Sequence, residues 1–485
     1  MTTIQAAQLV SEHFNIQGQA TQLPGEIDLN FLIIVSQKEK YVFKVESSAR
    51  DIDNLTLQNT VLSHLATKAL DLQIPKIVAN KKGATITPFQ KENGQQAYLR
   101  LLTWVEGRLL AKVNPHTEEL LESLGKACGN LCKGLADFRH PAAQRPFNWD
   151  NSNASWLKNH LGVFDNPLKK ALVQYFLDLF ETKVLPILPT LRKSINYNDA
   201  NDYNVLVSDD LANPRVSGVI DFGDVIHTHT INEVAIAAAY ALMEKADPLS
   251  AACPILAGFH EVFPITEKEC EVLFPLIATR LIISVTVSAI NQKAKPDNPY
   301  LQISAKPAWD LLEKLRTIPP NLAHYAFRSI CGYEACPKNA AFLAYIEENK
   351  GSFGKLVAAD LINDKKIVLD LSVGSLELGN NPNFESASKF EVLVDRMMED
   401  AGVDIGIGKY NEFRPIYTSD AFTVTGNEGP QWRTLHVGVD VFMKAGTPVY
   451  APIAGIVHSF NNNAADRDYG PAIILEHQVN PALTF

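Results

Sequence analysis

The chain has 485 residues, 46% hydrophobic and 20% charged, which describes a globular protein too long for one ordinary core and leads to an expectation of two to four domains. Its 44 Lys and Arg against 54 Asp and Glu leave a formal charge of −10 with no basic stripe, which argues against a nucleic-acid footprint. The first residues lack a basic segment followed by an apolar core, and the most apolar windows, 234–243 and 281–290, are shorter than a bilayer span, so a cytoplasmic protein with no membrane partner is expected.

In chain order, a helix is expected over 4–14. The apolar runs at 20–35 and 41–47, split by the polar turn 36–40, predict a hairpin. A helix over 51–69 and strands at 76–78 and 97–103 complete a small β-rich lobe, 1–105. Beyond Gly107 the pattern turns helical. Leu120, Leu121, Leu124, Ala127, Cys128, Leu131 and Leu135 keep helical spacing within 117–139, and further helices are expected at 167–190, 231–244, 267–291, 306–317 and 337–348. This defines a helical lobe, 106–350. Residues 351–430 read as linker and lead-in with a short helix in FEVLVDRMMEDAG, and 431–485 as a β-rich segment. The six cysteines form no CxxC pair, and Cys128 and Cys132 read as small buried hydrophobes.

The stretch SINYNDANDYNVLVSDDLANPRVSGVIDFGD interrupts the helical region. Strand-forming runs at 205–207 and 216–220 flank the turn-rich 208–214, a hairpin that would hold Asp199, Asn204 and Asp221 at one end of a small sheet. Oxygen ligands gathered there suit a hard cation such as Mg²⁺. Each residue alone is also a good turn former. Together, D-x-x-x-x-N followed by D-F-G has the order of a phosphotransferase catalytic loop and metal loop, with Asp199 accepting or orienting the acceptor proton and Asn204 and Asp221 on the metal. Lys44, in YVFKVES, lies on a strand from which its ammonium can reach the nucleotide phosphates. The loop LPGEIDLNF, with Gly25 at a turn, can cover them through backbone N–H groups. The acidic partner expected for Lys44 on the following helix is missing. Gln58 is best placed, with Asp51 and Asp53 as alternatives. His227 and His229 read as part of a Thr-rich loop and not as metal ligands.

Over residues 1–345 this order of parts resembles the aminoglycoside phosphotransferase and choline kinase superfamily, whose usual loop is His-Gly-Asp-x-x-x-x-Asn; Tyr197 and Asn198 stand here in place of the His and Gly. NDANDYN, IDFGDVIHTHTINEVAIAAAYAL and FNWD are most similar to the hydroxylysine kinases of that superfamily. The resemblance implies an α+β, bilobal protein-kinase-like fold and Mg²⁺-dependent transfer of the γ-phosphoryl group of ATP or GTP to a small amino alcohol such as hydroxylysine. It also implies nucleotide contacts from Gly25, Asn30, Lys44, Gln58, Thr103 and Val105, and an acceptor amine held by Asp150 or Asp202. The missing acidic partner and altered His-Gly leave a catalytically silent nucleotide-binding scaffold as a competing reading.

In WRTLHVGVDVFMKAGTPVYAPIAGIVHSF, His436 and Asp440 stand at i and i+4, which on one strand share a face and can reach one metal ion. The run resembles the lysostaphin-type zinc metallopeptidases and implies a β-rich domain with these two residues as Zn²⁺ ligands. The later Y-x-H and H-x-H motifs of that family are absent. The expectation is therefore an incomplete zinc site in a fragment, with the rest of the peptidase-like domain and an aminotransferase-like domain downstream, and a zinc peptidase completed in a longer chain is the third functional reading.

Overall fold

The structure, a computed structural model, describes residues 1–25, 28–47, 51–91, 94–294, 305–379, 386–465 and 467–485. The chain divides into two units, Met1–Ala335 and Cys336–Phe485. The boundary thus precedes the one expected near residue 350. The helix Asn339–Asn349, expected in the helical lobe, belongs to the second unit and buries none of its residues. Its Phe342 ring instead meets Phe485 at 4.8 Å.

In the first unit, α1 (Thr3–Phe14) starts at a capping box in which Thr2 and Gln5 satisfy each other's backbone N–H groups. It packs on an antiparallel sheet of β1 (Gln19–Leu23), β2 (Leu29–Ile34), β3 (Lys40–Ser47), β4 (Ile77–Val78), β5 (Thr87–Gln90) and β6 (Gln96–Thr103), in the order β1-β2-β3-β6-β4 with β5 also on β6. Side chains alternate across a sheet. Phe31, Ile33, Phe43, Val45, Leu99 and Leu101 face Ala6, Val10 and Phe14 of α1, so Asn30, Lys44 and Arg100, paired across the strands, share the opposite face. The helix α2 (Ile52–Leu65) follows β3, its first turn capped by Asp51, which accepts from Asp53 N–H.

The second lobe holds β7 (Arg108–Leu109), α3 (Glu118–Leu135), α4 (Pro167–Leu179), β8 (Lys193–Asn196), β9 (Val205–Val207), β10 (Val216–Val219), β11 (Ile226–His229), α5 (Asn232–Ala241), α6 (Pro248–Val262), α7 (Glu267–Ala294), α8 (Ala305–Thr317) and α9 (Pro320–Ile330). The helix expected over 167–190 is shorter. It ends in a wider turn at Phe180–Val184, because Pro186 and Pro189 lack the N–H groups that a continuing helix needs. Two helices had no sequence expectation. α6 carries Pro254 in its interior, and α9 begins at Pro320, where the missing N–H costs nothing. α6 lies unusually close to α3: a Cβ on Gly125 would fall 1.9 Å from Ile255 O, and one on Gly258 2.0 Å from Glu122 O. α7 corrects the expectation that no segment reaches bilayer length. Its 28 residues are long and apolar enough by composition, but 83% of its most apolar window is buried inside the structure, where it forms the central core helix.

In the second unit a three-stranded sheet pairs Ile367–Leu369 with Gly406–Gly408 and that with Asp440–Phe442. The helix Ala387–Asp400 packs Val394 against Leu369, Leu371 and Leu378. Ile456–Asn463 and Gly470–Glu476 pair as an antiparallel hairpin.

Candidate active site

Strand pairing answers how residues far apart in the chain can meet. β8 pairs antiparallel with β11, and β9 with β10, so the loop 197–204 leaving β8 and the loop 220–225 leaving β10 emerge side by side. Two bonds tie them: Ile220 N–H donates to Asn204 C=O at 2.9 Å, and Tyr197 O–H donates to Ile220 C=O. The Tyr197 ring also lies 4.9 Å from Phe222 of the DFG segment. Asn198, where the resembled family has Gly, has φ 67°, a left-handed conformation that Asn tolerates better than most residues. Its N–H donates to Glu233 Oε2 at 2.9 Å, which ties the loop to α5.

Asp199 lies at the centre of this arrangement. Oδ1 accepts from Asn201 Nδ2 and Arg280 Nη2, each at 3.0 Å, and Oδ2 from Asn204 Nδ2 at 2.7 Å. Burial pushes its carboxyl pKa up and Asp224 adds to the shift, against the pull of the Arg280 guanidinium. Asp221, also left-handed at φ 57°, accepts from Gly223 N–H at 3.2 Å and lies 3.6 Å from Lys44 Nζ. Lys44 thus points from the sheet of the first lobe to the Asp221 loop of the second. The donors fit a hard divalent cation. The Asn204 amide nitrogen is turned to Asp199, leaving its oxygen for another partner, and the Asp221 side chain is half-exposed.

The other expected nucleotide contacts divide. A Cβ on Gly25 would fall 2.7 Å from Asn30 Nδ2 and 2.6 Å from Asp28 O, so the close turn at the start of the loop requires glycine. Asn30 Nδ2 donates to Pro24 O at 3.4 Å, on the Lys44 face of the sheet; Glu26 and Ile27 of the same loop lie outside the described residues. Thr103 is held by Lys76, its Oγ1 accepting from that residue's N–H and its own N–H donating to that residue's C=O, both at 2.8 Å. Val105 is buried in the connection between lobes, within 2.8 Å of where a Gly218 Cβ would lie.

Three expectations need correction. Gln58 does not orient Lys44: its Oε1 accepts from Arg100 Nη1 at 2.7 Å, and Arg100 also pairs with Glu46 at 2.9 Å, because an amide oxygen beside a guanidinium is a better match than one beside a distant ammonium. Asp150 is a structural cap, its Oδ1 accepting from Ser152 N–H, Thr228 Oγ1 and Asn232 Nδ2. The third concerns His436 and Asp440, which do not share one strand: they end Leu435–His436 and begin Asp440–Phe442, with a bend between. Their side chains still meet, Nε2 to Oδ1 at 3.4 Å. Tyr417 Oη lies 2.6 Å from His436 Nδ1, and Arg414 Nη1 lies 2.6 Å from Asp440 Oδ2. Among the described residues no third His, Cys, Asp or Glu joins them in a metal-sized group. His227 and His229 lie on strand β11 and not in the loop expected for them, and His229 uses both ring nitrogens, on Ser152 Oγ and Leu188 O.

Asp202 keeps its place as an acceptor candidate. Its Oδ1 is buried without a hydrogen-bond partner among the described residues, and burial pushes its pKa up to about 6. Arg280 is the residue that pattern reading missed. Its signal was a lone charge inside the apolar run LFPLIATRLIISVTV, which is costly unless paired.

Residues 19–253 match the phosphotransferase enzyme family. Among curated proteins, the chain is 30% identical to a hydroxylysine kinase of Mus musculus over 339 residues, 65% of this chain and 89% of that protein. It is 32% identical to a hydroxylysine kinase of Xenopus laevis over 333 residues, covering 64% and 88%. Among solved structures, a microcompartment-associated aminopropanol kinase superposes with a TM-score of 0.50 at 15% identity, over 68% of this chain and 98% of that one. Amicoumacin kinase, in complex with AMP-PNP, Ca²⁺ and Ami, does so at 0.50 and 14%, over 65% and 94%.

Proposed function

The chain belongs to the phosphotransferase enzyme family and is a phosphotransferase with a hydroxyl acceptor, and from that premise we propose that it phosphorylates a cationic amino alcohol of the hydroxylysine class, with ATP or GTP as donor. The observation that carries this reading is the meeting of Asp199, Asn204, Asp221 and Lys44 from two lobes. The hydroxylysine kinase relatives support the acceptor class.

Asp199 takes the proton of the acceptor hydroxyl as its oxygen attacks the γ-phosphorus and the bond to the β-phosphate oxygen breaks, leaving a nucleoside diphosphate. Lys44 neutralises phosphate charge. Asn204 and Asp221 hold the divalent cation, which supplies further charge neutralisation when bound. Asp202 meets the acceptor ammonium. Its unpartnered buried oxygen is the supporting observation.

Replacing Asp199 by Asn is expected to abolish turnover and leave nucleotide-dependent thermal stabilisation nearly intact. Retained turnover removes its role as base, while stabilisation without product in the parent protein would instead favour the silent scaffold. A screen of amino alcohols with both nucleotides identifies acceptor and donor.

For residues 431–485 we retain the metallopeptidase-like reading with His436 and Asp440 as two zinc ligands, supported by their 3.4 Å approach. Two ligands bind zinc weakly. Stoichiometric zinc in the purified protein, lost in His436→Ala, would contradict an incomplete site.

A further inference from the structure

Arg280 is fully buried on α7, and all three of its nitrogens are held: Nε by Tyr240 Oη at 3.3 Å, Nη1 by Trp149 O at 3.0 Å and Nη2 by Asp199 Oδ1 at 3.0 Å. The guanidinium also lies over the rings of Trp149, at 4.6 Å, and Tyr240, at 5.5 Å. The bland account is a core ion pair serving stability. Buried pairs are weak stabilisers, however, and this one is asymmetric: the Arg280 side chain is 2% exposed but that of Asp199 is 19% exposed.

A carboxylate oxygen has about two lone pairs. Oδ1 of Asp199 already receives Arg280 and Asn201, whereas Oδ2 receives the Asn204 side chain alone among the described residues. We propose that Arg280 is a positioning residue that, with Asn201, engages Oδ1 and fixes the carboxylate plane, so that Oδ2, the less engaged oxygen, is the atom that takes the acceptor proton. Arg280 itself touches neither substrate. Its anchors, Trp149 from the FNWD segment and Tyr240 from α5, set the orientation of the base from two other parts of the lobe. The inference rests on the reading of Asp199 as base.

The test compares Arg280→Met and Arg280→Lys with Asp199→Asn in the full chain. Arg280→Met is expected to lower kcat about 100-fold, the scale of a misplaced catalytic group, with the KM for nucleotide and nucleotide-dependent thermal stabilisation unchanged. Arg280→Lys, which keeps a cationic donor, is expected to recover part of kcat. Parental kcat in Arg280→Met overturns the proposal, as does a loss of kcat matched by an equal loss of nucleotide affinity, the signature of a structural role. If Arg280→Met does not fold, Arg280→Lys carries the test: a kcat about 10-fold down with parental nucleotide KM supports the proposal, and a kcat within twofold of the parent overturns it. Retained turnover in Asp199→Asn would sink the base reading itself. Loss there with parental Arg280 variants sinks only the positioning role.

Discussion

Replacing Arg100 by Met should damage both stability and nucleotide affinity, and replacing Glu46 by Leu in the same protein should repair both. Arg100 and Glu46 are each 1% exposed, joined at 2.9 Å, with Gln58 on the same guanidinium nitrogen at 2.7 Å. Removing the guanidinium strands a buried carboxylate, at a cost of about 3–5 kcal/mol, and the lost Gln58 bond adds about 1 kcal/mol. The parent network is itself incompletely satisfied: Glu46 Oε2 and Arg100 Nε have no hydrogen-bond partner among the described residues. An apolar pair of similar size therefore recovers most of the loss. Lys44 stands opposite Arg100 and two residues from Glu46 on the same sheet face. The stranded carboxylate would compete with Asp221 and the phosphates for its ammonium, and a competition worth about 1.4 kcal/mol raises the nucleotide KM about tenfold. Urea unfolding of the two single variants and the double variant, with nucleotide kinetics on each, measures both effects. Parental KM in Arg100→Met, or a double variant destabilised by the sum of the singles, would refute the reasoning.

Asp202→Asn is expected to raise the KM for a cationic amino alcohol at least tenfold with little change in that for nucleotide; equal effects on both substrates would remove Asp202 from the acceptor site. Burial pushes the Glu233 carboxyl up to about 7 from an ordinary 4.5. The folded state therefore binds this proton more tightly than the unfolded state, so its contribution to stability is present below pH 4.5 and is lost as pH rises through 7, a difference of about 3 kcal/mol. Glu233→Gln keeps an oxygen for the Asn198 N–H and should raise the melting temperature at pH 8, with the advantage shrinking toward pH 4.5. A variant less stable than the parent at pH 8 would contradict this.

Local pattern determined a good deal by itself. Helical spacing placed α1, α2, α3, α5, α7 and α8 to within a few residues, and alternation placed Lys44 on a strand with its neighbours facing away. The order Asp199, Asn204, Asp221 was readable because each sits at a loop where Asn and Asp are conformationally suited, including the left-handed positions Asn198 and Asp221. These are properties of a few adjacent residues, and a linear pattern records them. Partner choice between distant segments was not recorded. Gln58 turned to Arg100 and Asp150 to Thr228, and Arg280 reached Asp199 across 81 positions, because hydrogen-bond partners are set by which strands and helices pack together. The contact of α3 with α6 through Gly125 and Gly258 was decided the same way: a missing side chain carries no period, and only the facing backbone gives it meaning.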